Sequence, residues 1–137
     1  MVAPIINELS TEECMHLLGS VPVGRVGLSI GALPVVLPVN FTVVDGDIVF
    51  RTVEGTKFHA AANGVVLAFE ADGYAPDGTS GWSVLVQGVS SVVTESTELN
   101  QVRESSLEPW AFDGTADRVL RIMSTRVSGR RFARSNP

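Results

Sequence analysis

Apolar and polar positions alternate along most of this chain with the period of two that marks half-buried strands. Arg25-Val26-Gly27-Leu28-Ser29-Ile30 is one such run, Gly31-Ala32 turns the chain, and Leu33 to Val44 is a longer apolar strand. Pro38 interrupts that strand and removes a ladder donor, which predicts a sheet edge or a bulge at Pro38-Val39-Asn40. Asp45-Gly46 is a strong hairpin signal, and Asp47 to Thr52 is the return strand. Val65 to Asp72 forms a dense apolar strand, Gly73 to Gly81 a polar loop, and Gly81 to about Thr94 another long strand. Arg118 to Val127 alternates weakly and reads as the last strand.

Three stretches carry a helical period instead. After an extended lead-in over residues 1–9, Ser10-Thr11-Glu12-Glu13 has the capping-box pattern. Cys14, Leu17 and Leu18 follow at helical spacing, which predicts a helix from about 11 to 19. Gly55 opens a short helix to about Asn63 with an apolar face of Phe58, Ala61 and Ala62, and Thr97 caps a polar helix to about Ser106. Six mostly sequential antiparallel strands with small helices at the rim predict a mainly β fold, a closed or half-closed barrel.

Composition narrows the class. The 137 residues suit a single domain, with its core over about 9–127 and a basic C-terminal tail over 128–137. A net charge of −5 opposes general nucleic-acid binding. No apolar run is long enough to span a bilayer, and the N-terminus lacks a basic-then-apolar signal. The single cysteine, Cys14, leaves no internal disulfide, so a reducing cytoplasm is the expected compartment. Six of the nine arginines lie at or after Arg118, either as a solvated basic end or as an anion-binding one.

The chemistry concentrates at Phe50-Arg51-Thr52-Val53-Glu54-Gly55-Thr56-Lys57, where a strand runs into a helix. Lys57, the one lysine of the chain, sits in the first helical turn. The helix dipole disfavours a cation there by roughly 0.3–1 kcal/mol. A bound anion, most naturally a phosphate held by Arg51, Lys57 and the hydroxyls of Thr52 and Thr56, resolves the conflict; an ion pair between Glu54 and Lys57 on a wet loop is the alternative. His59 has no second ligand at matching spacing and reads as structural. Gln87 is either a ligand contact or an outward side chain.

Pro38-Val39-Asn40-Phe41, Arg51-Thr52 with Lys57, and Gly81-Trp82-Ser83-Val84 with Gly88 together resemble the pyridoxamine 5′-phosphate oxidase-like superfamily. The nearest branch is that of the small flavin-binding proteins, which includes the nitroimidazole-resistance reductases. The resemblance runs from about Leu9 to Val127. It implies a split β-barrel that binds FMN as a homodimer, with the cofactor at the interface. Arg51 and Lys57 would hold the phosphate with help from Thr52, and the backbone around Pro38, Val39, Asn40 and Phe41 would face the isoalloxazine ring. Trp82 and Ser83 would reach the cofactor, including from the partner subunit. Gln87 stands where many relatives carry arginine.

The function implied is an FMN-dependent oxidoreductase passing hydride from a reduced nicotinamide to a small electrophile, which fits a sequence without a triad, a carboxylate pair or a metal cluster. Two alternatives stay open. One is a deazaflavin-dependent reductase, whose oligoglutamate-tailed cofactor would use Arg130, Arg131 and Arg134. The other is a non-catalytic flavin or haem binder, for which His16 and His59 are the available axial ligands. True pyridoxamine 5′-phosphate oxidases are longer and carry further basic substrate contacts that this chain lacks.

Overall fold

Residues 4–53, 55–97, 99–100 and 117–134 are described by the computed structural model. In chain order the elements are β1 (Pro4–Glu8), α1 (Thr11–Leu18), β2 (Val23–Ile30), β3 (Leu33–Val44), β4 (Asp47–Val53), α2 (Lys57–Ala62), β5 (Val66–Tyr74), β6 (Ser80–Val92), β7 (Asp117–Ile122) and β8 (Arg126–Arg134). The polar helix expected from Thr97 to Ser106 lies largely outside the described residues.

Local chemistry sets the turns and caps. In both early hairpins the two central residues have positive φ, Gly31 at 57° with Ala32 at 67°, and Asp45 at 50° with Gly46 at 81°. This is the turn sense that matches strand twist. The capping box of α1 forms as expected, with the Glu13 amide donating to Ser10 Oγ at 3.1 Å and the Ser10 amide to Glu13 Oε1 at 3.2 Å. The first helical residue of α2 is Lys57 rather than Gly55, because the Thr56 hydroxyl accepts from the His59 amide at 3.0 Å and caps the helix there.

Strands β2, β3, β4, β7, β6 and β5 close into a six-stranded antiparallel barrel, with two short helices against it. Closure depends on β6, whose Ser90–Val92 end pairs with β7 while its Ser80–Gln87 stretch pairs with β8. Strand β1 then pairs with β8, so the β1–β8 pair extends the sheet beyond the barrel. Residues 128–134 are therefore strand, not the basic tail expected from composition, because β6 offers them an open edge.

The barrel interior is apolar. Val26, Ile48, Phe50, Leu67, Phe69 and Val86 are fully buried, and Phe41 packs edge-on to Phe69 with ring centroids 4.7 Å apart. α1 buries Cys14 and Leu18 against this core, where burial and the neighbouring Glu13 push the Cys14 thiol above its ordinary range. α2 buries Ala62, whose carbonyl accepts from the Ser90 hydroxyl.

The bulge expected at Pro38 does not form. The β2–β3 register runs unbroken from Val23↔Asn40 to Ile30↔Leu33. The Phe41 amide donates to the Pro22 carbonyl at 3.2 Å, which makes the odd residues of β3 the ones bonded to β2. Pro34 and Pro38 thus turn their nitrogens to the opposite side, where, among the described residues, no strand pairs with residues 33–40 of β3. The sheet edge is real, and the prolines cost it no ladder bond.

Candidate functional site

That open edge is one wall of a cleft. Strands β3 and β4 pair from Val44↔Asp47 to Phe41↔Phe50 and then part. The next residues in register, Asn40 with Arg51 and Val39 with Thr52, no longer meet. They line instead a cleft of about 320 Å³, together with Leu37, Pro38, Val53, Thr56 and Phe58. Its lining is mostly apolar, and Asn40, Arg51, Thr52 and Thr56 are its residues with polar side chains.

Those threonines are already engaged. Thr56 donates its hydroxyl to the Val53 carbonyl at 2.7 Å while capping α2. Thr52 is 4% exposed, and its Oγ1 lies 2.6 Å from His59 Nδ1. His59 is thereby more than a filler of a helix face: it ties α2 to the end of β4.

Of the residues singled out from sequence, Pro38, Val39, Asn40, Arg51 and Thr52 come together in the cleft. Lys57 is exposed at the start of α2, between the cleft residues Thr56 and Phe58. Phe41 lies in the barrel core and does not line the cleft. Trp82, Ser83 and Gln87 are on β6, away from this chain's cleft. Trp82 packs against the core and over Gly73, beside a hollow shared with Tyr74, Arg131 and Phe132. Ser83 alternates to the outer face and lines a hollow of about 670 Å³ with Glu70, Leu85, Ser128 and Arg130. Gln87 is outward too, between Ala68 and Arg126 in the register.

Leu37, Val53, Phe58 and the His59 link were not legible as site features. Each follows an apolar or helical pattern that reads equally well as core. Thr56 was legible, as a hydroxyl beside Lys57, although its hydrogen is given to Val53. Glu54, the alternative partner of Lys57, lies outside the described residues.

A charge cluster marks the outer sheet face. Arg25 Nη1 is 3.2 Å from both Glu70 Oε1 and Asp72 Oδ2. Burial, and then the hydrogen bond and charge of Asp72, push Glu70 up to about 7, while Asp72 raises Arg25 further. Among the described residues no group of His, Cys, Asp and Glu is arranged to hold a metal, and no helix is long and apolar enough to cross a membrane.

The sequence profile of the family described as pyridoxamine 5′-phosphate oxidase matches residues 10–131. The uncharacterized protein Rv0080 of Mycobacterium tuberculosis is 38% identical over 129 residues, covering 90% of this chain and 84% of its own length. Among solved structures, an FAD binding protein from Mycobacterium smegmatis is 35% identical with a TM-score of 0.80, over 94% of this chain and 99% of that one. An FAD-binding protein from Mesorhizobium loti shares the fold at 20% identity and a TM-score of 0.75, over 96% of this chain and 99% of that one.

Proposed function

The chain belongs to the pyridoxamine 5′-phosphate oxidase family, and from that premise we propose that it binds a flavin in the β3–β4 cleft and uses it as an oxidoreductase. The observation that carries the reading is the parting of β3 and β4 after Phe41 and Phe50. It sets a strand edge and apolar walls beside Arg51. A flat heterocycle needs such a slot with a few backbone hydrogen bonds, and a phosphate needs a guanidinium with an ammonium near it. The donor set fits riboflavin 5′-phosphate, either as FMN or as the flavin half of FAD, the ligand named for the 35%-identical relative.

The flavin, when bound, supplies hydride and electron transfer. The chain's own residues do the rest. Leu37, Pro38, Val53 and Phe58 keep water from the ring, the backbone of Val39 and Asn40 orients it, and Arg51 with Lys57 anchors the phosphate. A reduced nicotinamide is the proposed donor and a small electrophile the acceptor, so the family description does not name the reaction. The arginines that an oligoglutamate tail would use are residues of β8, and Arg130 stands across from Glu8 in the register, which makes a deazaflavin the weaker reading.

The cleft is at the low end of the roughly 300–1,000 Å³ typical of ligand sites. We assign further cover of the flavin to a second copy of the chain. Val36, Val66 and Val89 are 68%, 68% and 50% exposed on the outer sheet face, apolar surface of the kind a homodimer buries. Ser83 is on that same face, from which a partner's cleft could be reached.

An absorbance spectrum of the purified protein, with mass spectrometry of what heat releases, tests the reading. Flavin bands and a mass of FMN or FAD are expected. A colourless protein that takes up neither on titration overturns it.

A further inference from the structure

His59 holds both threonines of the cleft. Its amide donates to Thr56 Oγ1 at 3.0 Å, and its ring Nδ1 lies 2.6 Å from Thr52 Oγ1. The second contact has two forms. With Nδ1 bare, the Thr52 hydroxyl gives its single hydrogen to the ring and offers only lone pairs elsewhere. With a hydrogen on Nδ1, the ring donates and the hydroxyl is released to donate to something else. A neutral imidazole switches between these forms by moving its proton from Nε2 to Nδ1 through solvent, with no change of charge. Thr56 has no such freedom, because its hydrogen is committed to the Val53 carbonyl.

We propose that His59 sets the direction of the Thr52 hydroxyl, and that a phosphate held at Arg51 in the cleft selects the tautomer protonated on Nδ1. The proposal rests on the flavin-phosphate assignment made above and adds a positioning residue to it. Arg51 supplies charge from one side of β4, and its neighbour Thr52, on the cleft wall and 4% exposed, supplies a directed donor only when His59 donates to it. His59 itself is not among the residues that line the cleft.

The chain has two histidines, His16 and His59, so the tautomer can be read directly. Long-range proton–nitrogen spectra of the ¹⁵N-labelled full chain, freed of ligand, are recorded alone, with riboflavin and with FMN, and a His16→Asn variant assigns the signals. The expected result is a proton on Nε2 alone and with riboflavin, and on Nδ1 with FMN. The same tautomer in all three overturns the proposal.

Affinity gives a second readout. Thr52→Val is expected to weaken FMN about tenfold, the scale of one hydrogen bond to a charged group, to leave riboflavin unchanged, and to be rescued by Thr52→Ser. Equal loss of both ligands marks a merely structural role and overturns the proposal. A wild-type protein that holds FMN and riboflavin equally well instead removes the phosphate assignment itself, whichever tautomer is seen.

Discussion

Gly88 and Met123 stand against each other where β6 changes neighbours from β8 to β7. A Cβ on Gly88 would fall well inside van der Waals contact of the Met123 carbonyl oxygen, which is backbone and has no room to retreat. The Met123 amide donates to the Val89 carbonyl at 3.0 Å, so the two segments are also bonded at this point. The barrel closes here because one residue of β6 has no side chain.

Gly88→Ala is therefore expected to destabilise the fold by roughly 3 kcal/mol, or on the order of 10 °C in melting temperature. Thermal unfolding followed by circular dichroism measures it. An unchanged midpoint would show that the Met123 segment moves aside freely.

Replacing Arg51 and Lys57 together with alanine is expected to abolish flavin retention and leave the melting temperature within a few degrees of wild type. Both side chains are outside the barrel core, so the loss should be of charge and not of packing. Flavin stoichiometry after gel filtration is the measurement, and full occupancy in the double variant rules out the proposed phosphate site.

Glu70 predicts a pH dependence. It shares one guanidinium with Asp72, and its carboxyl, raised from 4.5 to about 7, binds a proton more tightly folded than unfolded. Stability from this group is thus fully present at low pH and is lost as pH rises from about 4.5 through about 7. Glu70→Gln fixes the neutral form. The variant should match wild type near pH 4 and exceed it at pH 8 by about 1 kcal/mol, a figure reduced for the 36% exposure of the side chain. Denaturant titrations at the two pH values check it; a variant less stable at pH 8 would mean that the ion pair to Arg25 outweighs the burial.

The outer-face valines predict an assembly. At micromolar concentration the chain should scatter light as a dimer. Val66→Asp, placing a carboxylate beside Val89 in the β5–β6 register, should convert it to a monomer and weaken flavin binding. A clean monomer in the wild-type protein would remove the partner subunit from the site.

Periodicity, turns and caps determined much of this protein without any coordinates, because they depend on neighbours within a few residues. Asp45-Gly46, the Ser10–Glu13 box and the alternation of β2 to β6 are of this kind, and the strands they define admit few closures other than a barrel. The strand-to-helix junction at Arg51 and Lys57 was legible for the same reason.

Tertiary structure decided what depends on partners distant in sequence. Pro38 reads identically as a bulge or an edge, and the end of β3–β4 pairing at Phe41 and Phe50 leaves it without a paired strand on that side among the described residues. The C-terminal arginines read as a solvated end until β6 offers a free edge to pair with. Trp82 and Ser83 are adjacent in sequence, yet strand alternation sends one to the core and the other to the outer face. The Thr52–His59 contact joins a strand to a helix at one point, and no periodic pattern encodes a single hydrogen bond.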